Sequence, residues 1–280
     1  MTRKLYSVQD GKMSLVEFEV VSGKSIARQC NHVFAETIFE NNSFKIKKDY
    51  SIFEKIQNGD SVFVKTDCLP EIFFIMKSIN VTIKIVTHES DYVINDHVVN
   101  QMPKNIDRMF SVNVITESDK VIPIPLGIAN NYCKITLKPE NLNSFDLKSA
   151  NTKALVSCNI SNNPSERFPL YSNYIDNQVT VREVTDLSEY EKILSEHTFV
   201  FCPQGNGPDT HRFWESLYYG KIPIVKYSAW NRNFRDLPVL FVNQWDDAKV
   251  DTRENFLSNM RNICLEKLDA NYWGDIINVK

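Results

Sequence analysis

Phe201-Cys-Pro-Gln-Gly-Asn-Gly-Pro-Asp-Thr-His-Arg-Phe-Trp-Glu-Ser-Leu-Tyr-Tyr-Gly-Lys-Ile-Pro-Ile-Val225 is the stretch on which the reading of this chain turns. The residues leading into it, His197-Thr-Phe-Val-Phe-Cys202, are apolar after the first two, as in a strand covered on both faces. The chain then turns through Gly205, Asn206 and Gly207. A helix is expected to begin near Asp209 or Thr210, either of which suits an N-cap. Gly220 falls where a helix C-cap belongs, and Ile222-Pro-Ile-Val225 reads as the next strand. Free backbone N–H groups and the positive end of the helix dipole make such a helix start an anion site. Arg212, in the first turn, has the planar fork that grips a diphosphate with two parallel bonds. Glu215, one turn on, is placed to accept from both hydroxyls of a ribose, and His211 to touch a phosphate. Phe213, Trp214, Leu217 and Tyr218 form the core-facing side. The competing reading is a surface Arg212–Glu215 ion pair after a loop whose glycines only turn the chain. The unbroken run of strand, loop, cap, arginine and glutamate favours the anion site.

Upstream, Ser61-Val-Phe-Val-Lys65 and Val81-Thr-Ile-Lys-Ile-Val86 are short β-branched runs, each ending in polar residues, with a helical Leu69 to Ile79 between them. That is a βαβ unit with its loops at the strand C-termini. Val121-Ile-Pro-Ile-Pro-Leu-Gly127 reads as a further strand whose prolines suggest a sheet edge. Residues 134 to 152 are polar and make an interdomain linker. Lys153 to Ser157 is a strand, Asn159 to Pro164 a turn into a helix carrying Arg167, and Leu187 to Ser195 a further helix. Val239 to Val242 is one more strand, and the last thirty residues look helical. The expected organisation is α/β: an N-terminal domain over 1–140, a C-terminal domain over 150–265, and a final helix over 266–280 packing back on the first. The opening fifty residues carry little signal.

A chain of 280 residues accommodates two cores. The net charge of −3 is spread along the chain, which argues against a nucleic-acid partner. The six cysteines form no CxxC pair and read as reduced thiols of a cytoplasmic protein. No apolar core of a signal peptide opens the chain. No window reaches the ~18–20 uncharged apolar residues of a membrane span, so no membrane insertion is expected.

The 201–225 segment closely resembles the signature of the exostosin-like glycosyltransferases (family 47), CPxGxGxDTxRxWExLxxGxIPIV. Asp236-Leu-Pro-Val-Leu240 and Trp245 resemble the residues just downstream of that signature in the family. Phe63-Val-Lys-Thr-Asp67, Val86-Thr-His-Glu-Ser-Asp-Tyr92 and Ile124-Pro-Leu-Gly-Ile-Ala-Asn130 resemble the family's N-terminal half. The resemblance covers roughly residues 60 to 250. It implies a GT-B fold, two Rossmann-like domains facing across a cleft, with a UDP-sugar donor held by the C-terminal domain and a glycan or glycoprotein acceptor by the other. Glu215 would then bind ribose, Arg212 the diphosphate, and Arg167 would be a second basic residue at the phosphates; the alternative for Arg167 is a solvated helix arginine. The chain is short and resembles compact microbial and viral members, among them xylosyltransferases that build capsid glycans. UDP-xylose is the donor this suggests, with UDP-glucuronate, UDP-N-acetylglucosamine and UDP-galactose as alternatives, a fucose of a capsid N-glycan as acceptor and the host cytoplasm as location.

No Asp-x-Asp pair ends a strand, so leaving-group charge is expected to fall to Arg212, Arg167 and the helix start without a metal or other cofactor. The base candidates are Asp67, His88 and Asp91, in that order, all at strand C-termini; loop capping is the alternative for each. Inversion in a single displacement follows from the resemblance. Tyr227 and Trp230 are candidates to stack on sugar or uracil, against the commoner place of aromatics in a core. Two rivals stand: a catalytically inactive nucleotide- or glycan-binding protein of the same fold, and a dehydrogenase, which lacks its GxGxxG loop here.

Overall fold

The computed structural model describes residues 3–9, 12–130, 151–172, 179–181, 184, 186–260 and 263–279. The expected linker lies outside them up to residue 150, while 151 and 152 already belong to a strand. Strands β1 (Arg3–Gln9) and β2 (Lys12–Phe18) form an antiparallel hairpin, followed by helix α1 (Gly23–Gln29). Then come β3 (His32–Glu40), β4 (Ser43–Lys48), β5 (Ser61–Lys65), α2 (Leu69–Met76), β6 (Ile83–His88), α3 (Asp96–Gln101), β7 (Ile106–Ser111) and β8 (Val121–Pro123). They build a six-stranded sheet in the order β4-β3-β5-β6-β7-β8, parallel except for the β3–β4 pair.

The second sheet is wholly parallel. Strands β9 (Asn151–Val156), β10 (Val179–Val181), β11 (His197–Phe201), β12 (Ile222–Lys226) and β13 (Leu240–Val242) lie in the order β10-β9-β11-β12-β13. Its helices are α4 (Pro164–Ser172), α5 (Leu187–Ser195) and α6 (His211–Tyr218), with α7 (Arg253–Ser258) and α8 (Ala270–Asn278) closing the chain. Among the described residues no helix is long and apolar enough to cross a membrane.

The expected α/β pattern is present, and β5 and α5 span the residues the sequence suggested. Asp186 caps α5 by accepting from the Glu189 N–H. Proline-bearing β8 is an edge strand, as its composition implied. Strand β6 starts at Ile83, two residues later than expected, and runs on to His88, which makes His88 its last residue. The C-terminal region is not one helical run but α7, a 3-10 turn over Leu265–Leu268, and α8. Helix α8 packs on α1, and its Asn278 accepts from Ser61 and donates to the Gln29 carbonyl.

Alternation along the parallel strands sends side chains to two sides of each sheet. Val62, Val64, Ile85 and Met109 pack with α2 and α3 on the outer side of the first sheet. Ala154, Val156, Phe199, Phe201 and Ile224 form the matching outer cluster of the second. The inner residues, Phe63, Val86 and Phe110 from one sheet and Leu155 and Val200 from the other, belong to a single cluster with α1, α5, α6 and α8. The two halves therefore share a core. An aromatic chain runs through it, with ring centroids 5.2 Å apart for Phe213–Trp230, 4.9 Å for Trp214–Phe234 and 6.0 Å for Phe234–Trp273. Trp230 is thus a core residue and not a stacking platform. Tyr227 is exposed, with its ring stacked on Phe241 at 5.3 Å and Arg235 over it.

Candidate functional site

The carboxyl ends of both parallel sheets open on one cavity of about 650 Å³. Crevices at strand C-termini are where open α/β sheets bind ligands. From the first half come Asp67 after β5 and His88, Glu89, Ser90 and Asp91 at the end of β6. The second half contributes Arg167 of α4, then Gly205, Asn206, Gly207, Asp209, Thr210 and His211. Ten of the residues singled out by sequence are brought together here. Arg212 and Glu215 do not line this cavity.

Arg167 is buried at 7 % exposure, so it is not a solvated helix arginine. Its Nε donates to the Gln204 carbonyl at 2.9 Å and Nη1 to the Asn159 carbonyl at 2.5 Å. Those two bonds fix the guanidinium plane across the ends of β9 and β11. Nη2 is left toward the loop, and a Cβ at Gly205 would sit 2.8 Å from it. Glycine is needed there because backbone and guanidinium must approach closely. Gly207 has a similar reason on the opposite side: a Cβ would stand 2.5 Å from Asn113 Oδ1. Burial first, and also the charge of Arg212, hold Arg167 below its ordinary pKa. The two cations are therefore close enough to feel each other.

Helix α6 shows what the local sequence dictates and what it does not. Its C-terminus is a full Schellman motif: Gly220 has φ +64°, its N–H donates to Leu217, and Lys221 N–H donates to Ser216. At the other end Thr210 occupies the N-cap without a side-chain bond. Asp209 does not cap the helix either, because its carboxylate is used elsewhere. It accepts from Trp214 Nε1 at 2.9 Å and from the Leu126 N–H of the first half at 3.0 Å. A buried indole N–H needs an acceptor, and Asp209 supplies it. All residues from Phe213 to Tyr218 are buried, so the helix has no solvated face over that span. Glu215, expected opposite the core, is 3 % exposed and accepts from Tyr190 Oη at 3.0 Å. Arg212 lies over the Tyr190 ring at 4.9 Å, and its Nη1 is buried with no hydrogen-bond partner among the described residues.

Burial pushes the Asp209 carboxyl up to about 7, against the N–H donors of Leu126, Trp214 and Thr210. The folded protein thus holds this proton more tightly than the unfolded chain does between about pH 4 and 7. The stabilisation is complete below the unfolded value and is lost as pH rises through about 7. Thermal melts from pH 5 to 8 should show the wild type losing ground to Asp209→Asn as pH rises. Parallel curves would show that Asp209 does not titrate in this range.

The three base candidates all line the cavity, in different surroundings. Asp67 is ion-paired with Lys65. Partial burial raises its pKa, but hydrogen bonds from Lys65 and Ser90 outweigh that and leave it below the usual carboxylate value. His88 is 2 % exposed. Its Nδ1 accepts from the Glu89 N–H at 2.7 Å, so Nε2 carries the proton toward the Pro125 carbonyl at 3.3 Å. Burial and then nearby His211 take it down to about 4. Both ring nitrogens of His88 are thus engaged. Asp91 is exposed and accepts from Asn206 Nδ2 of the opposite half at 3.1 Å.

Two residues that sequence reasoning missed adopt left-handed backbone at neighbouring strand ends. Glu89 has φ +62° and Asn113 has φ +55°. Such conformations are costly for non-glycine residues and cluster at functional sites. The Glu89 carboxylate lines the cavity and accepts from Thr37 N–H at 2.5 Å and Asn130 Nδ2 at 3.2 Å. Asn113 donates to the Ser90 carbonyl and accepts from the Asp209 N–H, tying β6, β7 and the glycine loop together. His211 adds another tie between the halves, 2.8 Å from the Gly127 carbonyl.

No protein-family model matches the chain, and no curated protein matches it either.

Proposed function

We propose that this chain is an inverting glycosyltransferase of GT-B architecture that moves a sugar from a nucleoside diphosphate to a hydroxyl of a glycan. The observation that carries the reading is Arg167 clamped beside the Gly205 loop, with a buried Arg212, one nitrogen of it unpartnered among the described residues, near enough for its charge to act on Arg167. Arg167 is clamped with one nitrogen toward the loop, and Arg212 keeps a buried N–H without an acceptor among the described residues. An unpaired buried donor on a cation costs free energy until an anion takes it. A diphosphate supplies several acceptor oxygens and two negative charges, which suits two cations that otherwise repel. The facing strand ends of the first half offer Glu89, Asp91 and Asn130 as hydrogen-bonding groups for a sugar acceptor.

On this reading the arginines stabilise the charge that builds on the departing diphosphate, a preorganised electrostatic role. Holding donor and acceptor in one cleft removes much of the entropic barrier. The resemblance of the 201–225 segment to the exostosin-like family supports UDP as the nucleotide, and the chain's compactness supports UDP-xylose as the first donor to try. The acceptor to try first is a fucose-bearing glycan.

The test is thermal unfolding with UDP, GDP or ADP, each in EDTA and again with manganese. Ligand at ~100 times its dissociation constant adds about 2.7 kcal/mol of stability, a visible shift in melting temperature. A shift with UDP in EDTA is expected; no shift with any nucleotide would refute the proposal. On the ribose role that the exostosin-like resemblance implies for Glu215, Glu215→Ala is expected to weaken UDP binding by ~1–3 kcal/mol. Unchanged affinity in calorimetry would remove Glu215 from the nucleotide site.

A further inference from the structure

Proton transfer from the acceptor hydroxyl needs a group in the cleft with a lone pair not already committed. Asp67 is paired with Lys65, and His88 has both ring nitrogens engaged. The two Glu89 oxygens accept from Thr37 and Asn130, with Lys24 Nζ 4.0 Å away. Asp91 is drawn to Asn206 across the opening. The carboxylates keep further lone pairs, but each is already held by a donor from the protein; His211 Nε2 is held by none among the described residues. The Nδ1 of His211 lies 2.8 Å from the Gly127 carbonyl, and a carbonyl only accepts, so Nδ1 carries the ring proton. In the neutral ring Nε2 then holds the lone pair. Among the described residues no hydrogen bond engages Nε2, and the residue lines the cavity.

We propose that His211, through Nε2, is the catalytic base that takes the proton from the acceptor hydroxyl; this rests on the glycosyl-transfer reading above. The Gly127 carbonyl plays the orienting part, holding one tautomer and one ring angle, as an acceptor on the far nitrogen does in other imidazole bases. In the transfer step the hydroxyl O–H bond breaks and its proton goes to Nε2. The oxygen forms a bond to the anomeric carbon from the side opposite the diphosphate. The bond from that carbon to the diphosphate oxygen breaks, and its electron pair leaves on the diphosphate beside Arg167. Charge is balanced: an imidazolium and a further negative charge on the leaving group form together. The base thus comes from the helix that succeeds the glycine loop, held in place by the opposite half.

Diethyl pyrocarbonate acylates an accessible unprotonated imidazole nitrogen, which allows a test without a known donor. In the full-length protein at neutral pH, peptide mapping should find His211 modified and His88 unmodified, with saturating UDP slowing the reaction at His211. Modification of His88 with His211 untouched, or a His211 rate indifferent to bound UDP, overturns the assignment. His211→Gln should stay folded and still bind UDP measurably in calorimetry. With UDP-xylose, or whichever UDP-sugar the wild type consumes, it should lose ~10²–10⁴-fold in turnover, the usual worth of general base catalysis. A folded His211→Gln that binds UDP and keeps wild-type turnover sinks the base and leaves the transferase reading standing. Absence of UDP binding to the wild type sinks the transferase reading itself, before any histidine is changed.

Discussion

Arg167→Ala is expected to weaken UDP binding by about 1.5–3 kcal/mol, the worth of a hydrogen bond to a charged group, or roughly ten- to 150-fold in dissociation constant. The size follows from geometry. Nε and Nη1 are already spent on the Gln204 and Asn159 carbonyls, so the side chain arrives at the ligand with its rotamer entropy already lost. Alanine removes the charge and also strips donors from two carbonyls at the ends of the neighbouring strands β11 and β9. Some loss of thermal stability is therefore expected as well. Arg167→Lys separates the two effects. Lysine keeps the charge but has no planar fork to bond both carbonyls and still face the loop, so it should recover only part of the affinity. Calorimetry with UDP on all three proteins decides the matter. Wild-type affinity in a folded Arg167→Ala would remove Arg167 from the phosphate site.

The case of Arg167 shows where sequence reading stops. Its position after a turn was legible; its burial was not, because the carbonyls that hold it lie 37 and 8 residues away along the chain. The same limit governs the bases. Strand ends were legible as contiguous apolar runs that stop at polar residues, so Asp67, His88 and Asp91 were placed in the cleft. The groups that engage their lone pairs are set by partners that the pattern does not name, the Lys65 ammonium for one and the Glu89 N–H for another. His211 was read as a phosphate contact, and its tautomer depends on a carbonyl 84 residues earlier. The first fifty residues were illegible for a different reason. Strand β4 is exposed throughout, and Phe39, Phe44 and Ile46 are exposed on its hairpin, so no buried stripe marks a period. The local hairpin signals there are the Asp10-Gly11 dipeptide in the sequence between β1 and β2 and the Asn41-Asn42 turn, whose two residues have positive φ. Glu89 and Asn113 gave no signal of left-handed backbone beyond being polar residues after strands.

The largest effect on stability is expected at Trp214, where Trp214→Ala should cost ~3–5 kcal/mol, as truncation of a buried aromatic does. The indole is fully buried between Phe213 and Phe234, in the cluster that both sheets share. Its loss therefore opens a cavity at the join between the halves and not inside one of them. Trp214→Phe distinguishes packing from polarity. Phenylalanine fills much of the volume but withdraws Nε1–H from Asp209, whose carboxylate then keeps fewer donors in a buried site. If packing dominates, the phenylalanine variant should unfold in urea much closer to the wild type than to the alanine variant. A double cycle with Asp209→Asn adds a second measure, since residues sharing a hydrogen bond couple by ~0.5–3 kcal/mol. Additivity would mean that the Trp214–Asp209 bond contributes nothing of its own. The ring would then hold α6 by contact alone, and the Asp209 clasp on Leu126 would be independent of it. A cost for Trp214→Ala below ~1 kcal/mol would contradict the shared core altogether, because no buried indole in a continuous cluster is removed so cheaply.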